Sequence, residues 1–335
     1  MSITIKKIAN DLQLAVSTVS KALRDSHEIS AETKARVFAH ASALDYLPNP
    51  YASSLKRRRS GNIAVIVPEV ADSFFSDAIN GIEEVAQDIG YHVMIYLTHE
   101  DAKKEQSIVR DFRNGRVDGV LISIASSVEN SNHLFDLWSR KMPLVFFDRI
   151  CEDICTTSVV TNDIECGYNA TRHLIDKGCK RIAFLSMFQD LPIVKKRQEG
   201  YQQALLEQGY DLKVNPIVNL TNNESDNLDV ITKLLSGDDK PDGFVGSVEK
   251  VTMQAYTACH ALNLSIPHQV KIIGFSHLQI AALLNPSLTT ITQPAFEMGK
   301  MAASILFKAL QRKNFTIKNE QFVIPSVLVE RDSTR

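Results

Sequence analysis

The chain is poor in the features that define most functional classes. Its 335 residues include only five cysteines, at positions 151, 155, 166, 179 and 259. An odd number spread over helix, strand and loop patterns makes no disulfide framework, and Cys151-x-x-x-Cys155 has no second pair at zinc-finger spacing. Reduced thiols are expected, and no metal site. The N-terminus lacks an apolar signal-type region, and no stretch reaches the ~18 apolar residues of a membrane span. A cytoplasmic protein with no membrane partner is therefore expected. No Gly-x-Gly-x-x-Gly follows a strand, and a Walker loop, a Gly-x-Ser-x-Gly elbow and a His-Glu-x-x-His pair are all missing. These absences argue against an enzyme and against a bound cofactor. His92, His173, His260 and His277 are scattered through strand and helix patterns, as ordinary half-buried histidines are. There is neither a repeat of solenoid period nor a low-complexity tract.

Charge is present but unevenly placed. The net charge of −2 divides into ten Lys/Arg against five Asp/Glu over residues 1–60, and 27 against 34 over the remainder. A head of +5 on a body of −7 suits a nucleic-acid-binding module joined to a part that avoids nucleic acid. The length leaves room for two or three domains, and 44% hydrophobic residues are ordinary for a globular protein.

The head reads as three short helices. Ile5, Ile8, Ala9 and Leu12 recur at i, i+3, i+4 and i+7, with Thr4 as the expected cap. A second helix starts near Val16 and buries Val19, Ala22 and Leu23; Ser30 caps a third, with Val37, Ala41 and Leu44 inward. The first two are joined by a short turn, as in a helix-turn-helix, although Leu12-Gln13-Leu14 lacks the glycine such turns favour. Val16, Ser17, Thr18, Ser20 and Lys21 open the second helix, whose start would enter a major groove. The alternative is a helical subdomain whose polar face meets only solvent. Next, Asn49 can cap a short helix with Pro50 at its first position, placing Ala52 and Leu55 on one face ahead of Lys56-Arg57-Arg58-Arg59. So short a helix should form only when docked. Leu55 would then wedge between base steps in a minor groove, and Lys56 and Arg57 would meet flanking phosphates. A plain linker whose leucine packs on the neighbouring lobe is the other reading.

From Ile63 the texture changes to apolar strand patterns, at 63–68, 92–97, 119–124, 144–148, 158–161, 181–186, 243–247 and 271–275, with amphipathic helices between them. Such alternation predicts parallel sheets covered on both faces, in two doubly wound lobes split near residues 148–157. The expected domains are a helix-turn-helix over 1–46, a hinge helix and basic linker over 47–60, an N-terminal lobe from 61–157 with 291–317, and a C-terminal lobe from 158–288 with 319–332. Ligands of doubly wound lobes sit at the carboxyl ends of the strands. That rule selects Phe74, Phe75, Ser123, Asp148, Arg197, Ser247, Glu249, Ser276 and Gln293 as cleft residues. Aromatic and hydroxyl-binding groups suit a sugar, and Arg197 suits an anion. A structural Asp148–Arg149 ion pair and a core role for Phe74 and Phe75 remain open.

These motifs resemble the lactose-repressor/galactose-repressor family of bacterial transcription regulators. The likeness runs through Ile8-Ala9, Thr18-Val19-Ser20-Lys21-Ala22-Leu23, Ser30-x-x-Thr33, Tyr46-x-Pro48-Asn49 and Ala52-x-x-Leu55. It continues through Phe74-Phe75, Val117-Asp118-Gly119, Phe147-Asp148-Arg149, Ile273-Gly274-Phe275 and Asn285-Pro286-x-Leu288-Thr289-Thr290, and closes with Val329-x-Arg331-x-Ser333-Thr334. The resemblance implies periplasmic-binding-protein-like lobes, a homodimer on double-stranded operator DNA of two-fold symmetry, and a small-molecule effector. By position, Val16, Ser17 and Lys21 are similar to base-reading residues, and Thr18, Ser20, Ser30, Thr33 and Asn49 to phosphate contacts. Leu55 matches the intercalating wedge, and Asp148, Arg197 and Gln293 match effector contacts. Gln13 and Ala15 stand where the family has Gly and Ser. Val248-Glu249 replaces an Asn-Asp pair, and Ser276 replaces an Asp, so a simple monosaccharide is less well supported as effector. A ligand-responsive repressor is the expectation, and a solute-binding protein with no DNA role is the alternative. The last strand pattern, 322–329, is followed by few residues and no leucine heptad. A dimer is therefore expected rather than a tetramer, through apolar helix faces such as that of residues 71–82.

Overall fold

The computed structural model describes residues 4–46, 59–125, 131–312 and 317–335. It divides into two units, Met1–Ser60 and Gly61–Arg335. Asn49, Ala52, Leu55, Lys56 and Arg57, the expected hinge contacts, lie outside the described residues.

The first unit is built from α1 (Ile5–Asp11), α2 (Val16–Ala22) and α3 (Ala31–Ala43). Ile8, Ala9, Val19, Ala22, Val37 and Ala41 form its small core, with Leu23 and Leu44 partly buried at the edge. Ser30 caps α3 as expected, its Oγ accepting from the Thr33 backbone N–H at 3.3 Å. Thr4 occupies the cap position of α1, but its side chain makes no capping bond. The α1–α2 turn keeps its shape without glycine because Gln13 itself takes the left-handed conformation, at φ +54°. Ala15 precedes α2 in extended geometry and can offer no side-chain acceptor to the helix.

The second unit contains two six-stranded sheets. The first sheet uses β1 (Asn62–Val67), β2 (His92–Leu97), β3 (Gly119–Ile122), β4 (Leu144–Phe147), β5 (Ser158–Val160) and β11 (Gln321–Val323), all parallel, in the order β11-β5-β4-β3-β1-β2. The second uses β6 (Ile182–Met187), β7 (Ile217–Leu220), β8 (Gly243–Gly246), β9 (Lys271–Phe275), β10 (Thr289–Thr292) and β12 (Val327–Val329), in the order β12-β10-β9-β8-β6-β7. Only β12 runs antiparallel there.

Alternate residues explain why the central strands are apolar on both sides. On β1, Ile63, Val65 and Val67 face α4 (Ser73–Ile89) and α11 (Ala295–Gln311), while Ala64 and Ile66 join the core under α5 (Ala102–Asp111) and α6 (Asn132–Ser139). In the second lobe Ile182 and Phe184 pack with α7 (Asp163–Asp176) and α8 (Pro192–Glu207). Ala183 and Leu185 pack with α9 (Glu224–Ser236) and α10 (Glu249–Ala261). Two helix pairs approach closely through reciprocal glycines. A Cβ on Gly81 would lie 2.1 Å from the Phe296 carbonyl oxygen, and one on Gly299 would lie 2.0 Å from that of Ala78. Likewise a Cβ on Gly167 would lie 2.0 Å from the Arg197 carbonyl oxygen and one on Gly200 1.9 Å from that of Ile164, so α7 and α8 pack backbone against backbone.

Four expectations need correction. The lobe boundary does not fall before residue 158, because Ser158–Val160 pairs with β4 and β11 in the first sheet. The segment 319–332 does not lie wholly in the C-terminal lobe, and its 322–329 pattern is not one strand: β11 closes the first sheet, Pro325 interrupts the run, and only β12 pairs in the second. Thr289–Thr292 belongs to the second sheet, so the expected start of the returning segment at 291 splits a strand. The chain thus crosses between lobes three times, near 161–162, 293–294 and 324–326. Asn162 ties the first crossing to the third, its Oδ1 accepting from the Ser326 N–H at 2.9 Å. Nor is the apolar face of residues 71–82 free for another subunit. Phe74, Phe75, Ala78, Ile79 and Ile82 are buried against α11 and the first sheet.

Candidate functional site

On the first unit, α2 carries Val16, Ser17 and Lys21 exposed, with Thr18 and Ser20 half-buried beside them. Val19 and Ala22, on the opposite face, hold this helix to the core, so the expected reading residues share the outward side. Lys21 is not idle: its ammonium pairs with Glu28, which holds the Glu28 carboxyl below the usual range. Ser30 is exposed, and its Oγ lies 2.9 Å from Oγ1 of Thr33 at the start of α3, so two of the expected phosphate contacts are adjacent.

On the second unit, the lobes meet around an inner cavity of about 30 Å³. Of the nine residues singled out from strand ends, Phe74, Phe75, Asp148, Arg197, Glu249, Ser276 and Gln293 line it. Ser123 and Ser247 do not. Each is fully buried one layer back, where Ser247 Oγ accepts from the Met187 N–H at 3.0 Å and Ser123 Oγ accepts from the Arg149 N–H at 3.4 Å. Strand-end position alone had missed Asp72, Arg149, Ile193, Val248, Phe275 and His277 on the same walls. A helix-cap rule would have found Asp72, whose side chain accepts from the Phe74 N–H at 2.9 Å.

Several side chains join the lobes. Glu249 accepts from Ser73 Oγ at 2.8 Å in the N-terminal lobe and from Ser276 Oγ at 2.7 Å in its own. His277 Nε2 lies 3.0 Å from Asp77 Oδ2 on α4. Asp148 follows β4 with a left-handed backbone, φ +59°, and accepts from Gln293 Nε2 at 3.2 Å. Burial lifts its carboxyl to about 6, although Arg149, Arg197 and the Gln293 bond all pull the other way. The Asp148–Arg149 ion pair that had stood as the alternative reading is loose, at 3.9 Å. The close contacts of Arg149 are to Glu100, at 2.8 and 2.9 Å.

Arg197 is held by contacts within the C-terminal lobe. Its Nε donates to Asp163 at 2.7 Å and its Nη1 to the Ser247 carbonyl at 2.7 Å, over the Phe275 ring at 4.0 Å, so it braces the C-terminal lobe. Its Nη2 is buried with no hydrogen-bond partner among the described residues, and the side chain lines the cavity. A buried donor left unsatisfied costs about 1–3 kcal/mol, and a ligand acceptor would recover that.

All five cysteines are free thiols. Burial raises Cys166 and Cys259 to about 11 and Cys179 to about 12, so these three act as protonated packing residues. Among the described residues no group of three or more His, Cys, Asp or Glu could hold a metal ion, and no helix is long and apolar enough to cross a membrane.

Comparison with known proteins agrees with this architecture. Residues 60–331 match the family described as periplasmic binding proteins and sugar binding domain of LacI family, and residues 4–49 match bacterial regulatory proteins, lacI family. The chain is 29% identical over 337 residues to the HTH-type transcriptional regulator RegA of Clostridium saccharobutylicum, covering 100% of both chains. It is 25% identical over 336 residues to catabolite control protein A of Priestia megaterium, again with 100% of each covered. In fold it superposes on the lac repressor dimer bound to operator and the anti-inducer ONPF with a TM-score of 0.86, over 100% of this chain and 99% of that one, at 18% identity. A helix-turn-helix unit, two parallel α/β lobes and a match spanning both place it without ambiguity: the chain belongs to the LacI family of bacterial regulatory proteins.

Proposed function

We propose that this protein is a ligand-responsive transcriptional repressor that binds a pseudo-palindromic operator as a homodimer and takes a small-molecule effector between its lobes. It works in the cytoplasm, on the nucleoid, and performs no chemical step. The carrying observation is the outward face of α2, where Val16, Ser17 and Lys21 stand exposed at a helix start of groove-entering type. Ser30 and Thr33 supply phosphate contacts, and the segment with Asn49, Ala52, Leu55, Lys56 and Arg57 supplies a minor-groove wedge and its basic flank.

The effector contacts proposed are Asp148, Arg197, Glu249, Ser276 and Gln293, with Phe74 and Phe75 packing on an apolar ring face. These groups come from both lobes, so a ligand touching them biases the closure angle. Where that angle sets the spacing of two hinge segments in a dimer, effector and DNA affinities change by the same factor. An inducer splays the hinges and a corepressor draws them together. The test is fluorescence anisotropy with the DNA upstream of the protein's own gene against random DNA of equal length. A preference of about 1,000-fold, near the lower end for specific binders, is expected. Equal affinity would leave the solute-binding reading in its place.

A further inference from the structure

A groove of about 360 Å³ lies between α5 and α6 on the N-terminal lobe and shares no lining residue with the cavity between the lobes. Its volume is at the lower end of the ~300–1,000 Å³ of small-molecule sites. The wall is polar. Arg110 comes from α5 and Arg113 from the single turn after it, while Asn132, His133 and Asp136 come from α6.

Charge in the groove favours an anion. Arg110 is exposed and has neither an ion pair nor a hydrogen bond among the described residues. Arg113 donates its Nε to Asp136 at 3.2 Å, but Asp136 also takes the Arg140 Nε at 3.1 Å on each of its oxygens. The Arg140 bond, ahead of the charge of Arg113, holds the Asp136 carboxyl below its usual range. With Asp136 matched by Arg140, the two groove arginines leave an excess of positive charge. The start of α6 adds to it, because a helix N-terminus carries partial positive charge. No side chain caps that end: Ser131 donates its Oγ to Asp153 at 3.2 Å instead.

An independent sign of a ligand is His133, whose side chain lines the groove and is only 8% exposed. Its Nε2 is turned inward to the fully buried Glu105, at 2.7 Å, and the other oxygen of Glu105 accepts from the Ala125 N–H at 2.7 Å. Glu105 is thereby used up, and the second ring nitrogen, Nδ1, is buried with no partner among the described residues. Nearly all buried polar atoms have partners, so this one calls for a group that can share a proton with it. A phosphate fits: with a second pKa of about 6 it either donates its own O–H to Nδ1 or accepts from the protonated ring. A carboxylate holds no proton near neutrality and has one oxygen fewer to satisfy the donors.

We propose that this groove is a second ligand site, independent of the effector cleft, and that it takes a phosphate group. Arg110, Arg113 and the start of α6 supply donors to the terminal oxygens, and His133 Nδ1 shares the phosphate proton. Inorganic phosphate and the phosphomonoester of a small alcohol have this chemistry in common.

The test uses Trp138, the single tryptophan of the chain, which sits on α6 and is 41% exposed. Inorganic phosphate added to the full-length protein, with ionic strength held by sodium chloride, should change its fluorescence saturably, and equilibrium dialysis should show one phosphate bound per chain. Arg110→Gln should weaken binding about tenfold, as expected for one lost charge-assisted hydrogen bond, with circular dichroism unchanged. Arg116→Gln removes the same charge from an exposed arginine outside the groove, and should leave the affinity nearly as it was. Tighter binding of glycerol 3-phosphate than of phosphate identifies a monoester as the ligand, and equal or weaker binding identifies free phosphate. Succinate binding as tightly as phosphate, equal losses in the two arginine variants, phosphate binding that leaves Trp138 unchanged, or no saturable binding overturns the proposal.

Discussion

Gln293 donates its Nε2 to Oδ1 of Asp148 at 3.2 Å, joining the second crossing between lobes to the end of β4. Both groups are buried, and this contact is where lobe geometry and protonation meet.

Asp148 should make stability fall as pH rises through the weakly acidic range. An ordinary aspartate loses its proton near 3.8, whereas burial keeps the Asp148 proton up to about 6. The folded chain therefore binds this proton more tightly than the unfolded chain does. The resulting deficit develops between about pH 4 and 6 and reaches up to about 3 kcal/mol at neutral pH. Asp148→Asn should recover part of it and flatten that slope in urea titrations at several pH values. Asn still accepts from Gln293 and tolerates a left-handed backbone well. Lower stability at pH 7 would contradict this account.

Arg197→Ala should destabilise the second unit by about 3–5 kcal/mol, because it strands Asp163 as a buried charge. Both side chains of that pair are 2% exposed. Loss of ligand response in this variant is thus no clean test of effector contact. The double variant Arg197→Met with Asp163→Leu should regain most of the loss in denaturant unfolding. A double variant no more stable than Arg197→Ala would show that the pair does not set the cost.

Gly200→Ala should cost about 3 kcal/mol, since the added Cβ would lie 1.9 Å from the Ile164 carbonyl oxygen and force α7 from α8. Arg197 is one turn before Gly200, so ligand affinity should drop alongside the melting temperature. An unchanged melting temperature would mean that the helix pair yields at no cost.

In the helix-turn-helix, Gln13→Gly should stabilise by about 0.5–1 kcal/mol. It relieves a left-handed non-glycine backbone, partly offset by the added freedom of the unfolded chain. Thermal unfolding of residues 1–60 followed within the full chain would register a higher midpoint; a lower one would refute the strain.

Leu55→Ala should weaken operator binding by about 30-fold or more, a few kcal/mol at the scale of unstacking a base step, and leave binding to random DNA nearly unchanged. Anisotropy titrations at one fixed salt concentration separate the two. Equal losses on both DNAs would exclude a wedge.

Sequence by itself determined what depends on neighbours along the chain. Ser30 capping α3, the 3.6-residue face of Val19 and Ala22, and two-sided apolar strands such as Ile63 to Val67 all follow from local periodicity and local hydrogen bonding. The short, half-exposed β7 escaped notice because an edge strand has no full apolar pattern to show. Tertiary structure alone decided which sheet each crossing strand joins, since Ser158–Val160 and Gln321–Val323 are completed by partners more than 150 residues apart. It also decided which polar strand ends reach the ligand. Ser123 and Ser247 looked equivalent to Ser276 in sequence, yet they turn to backbone groups of adjacent strands, while Asp72, Arg149 and His277 turn to the cavity. A strand end is a local property, but a cavity wall is made where side chains from two lobes face each other, and only the three crossings set that meeting.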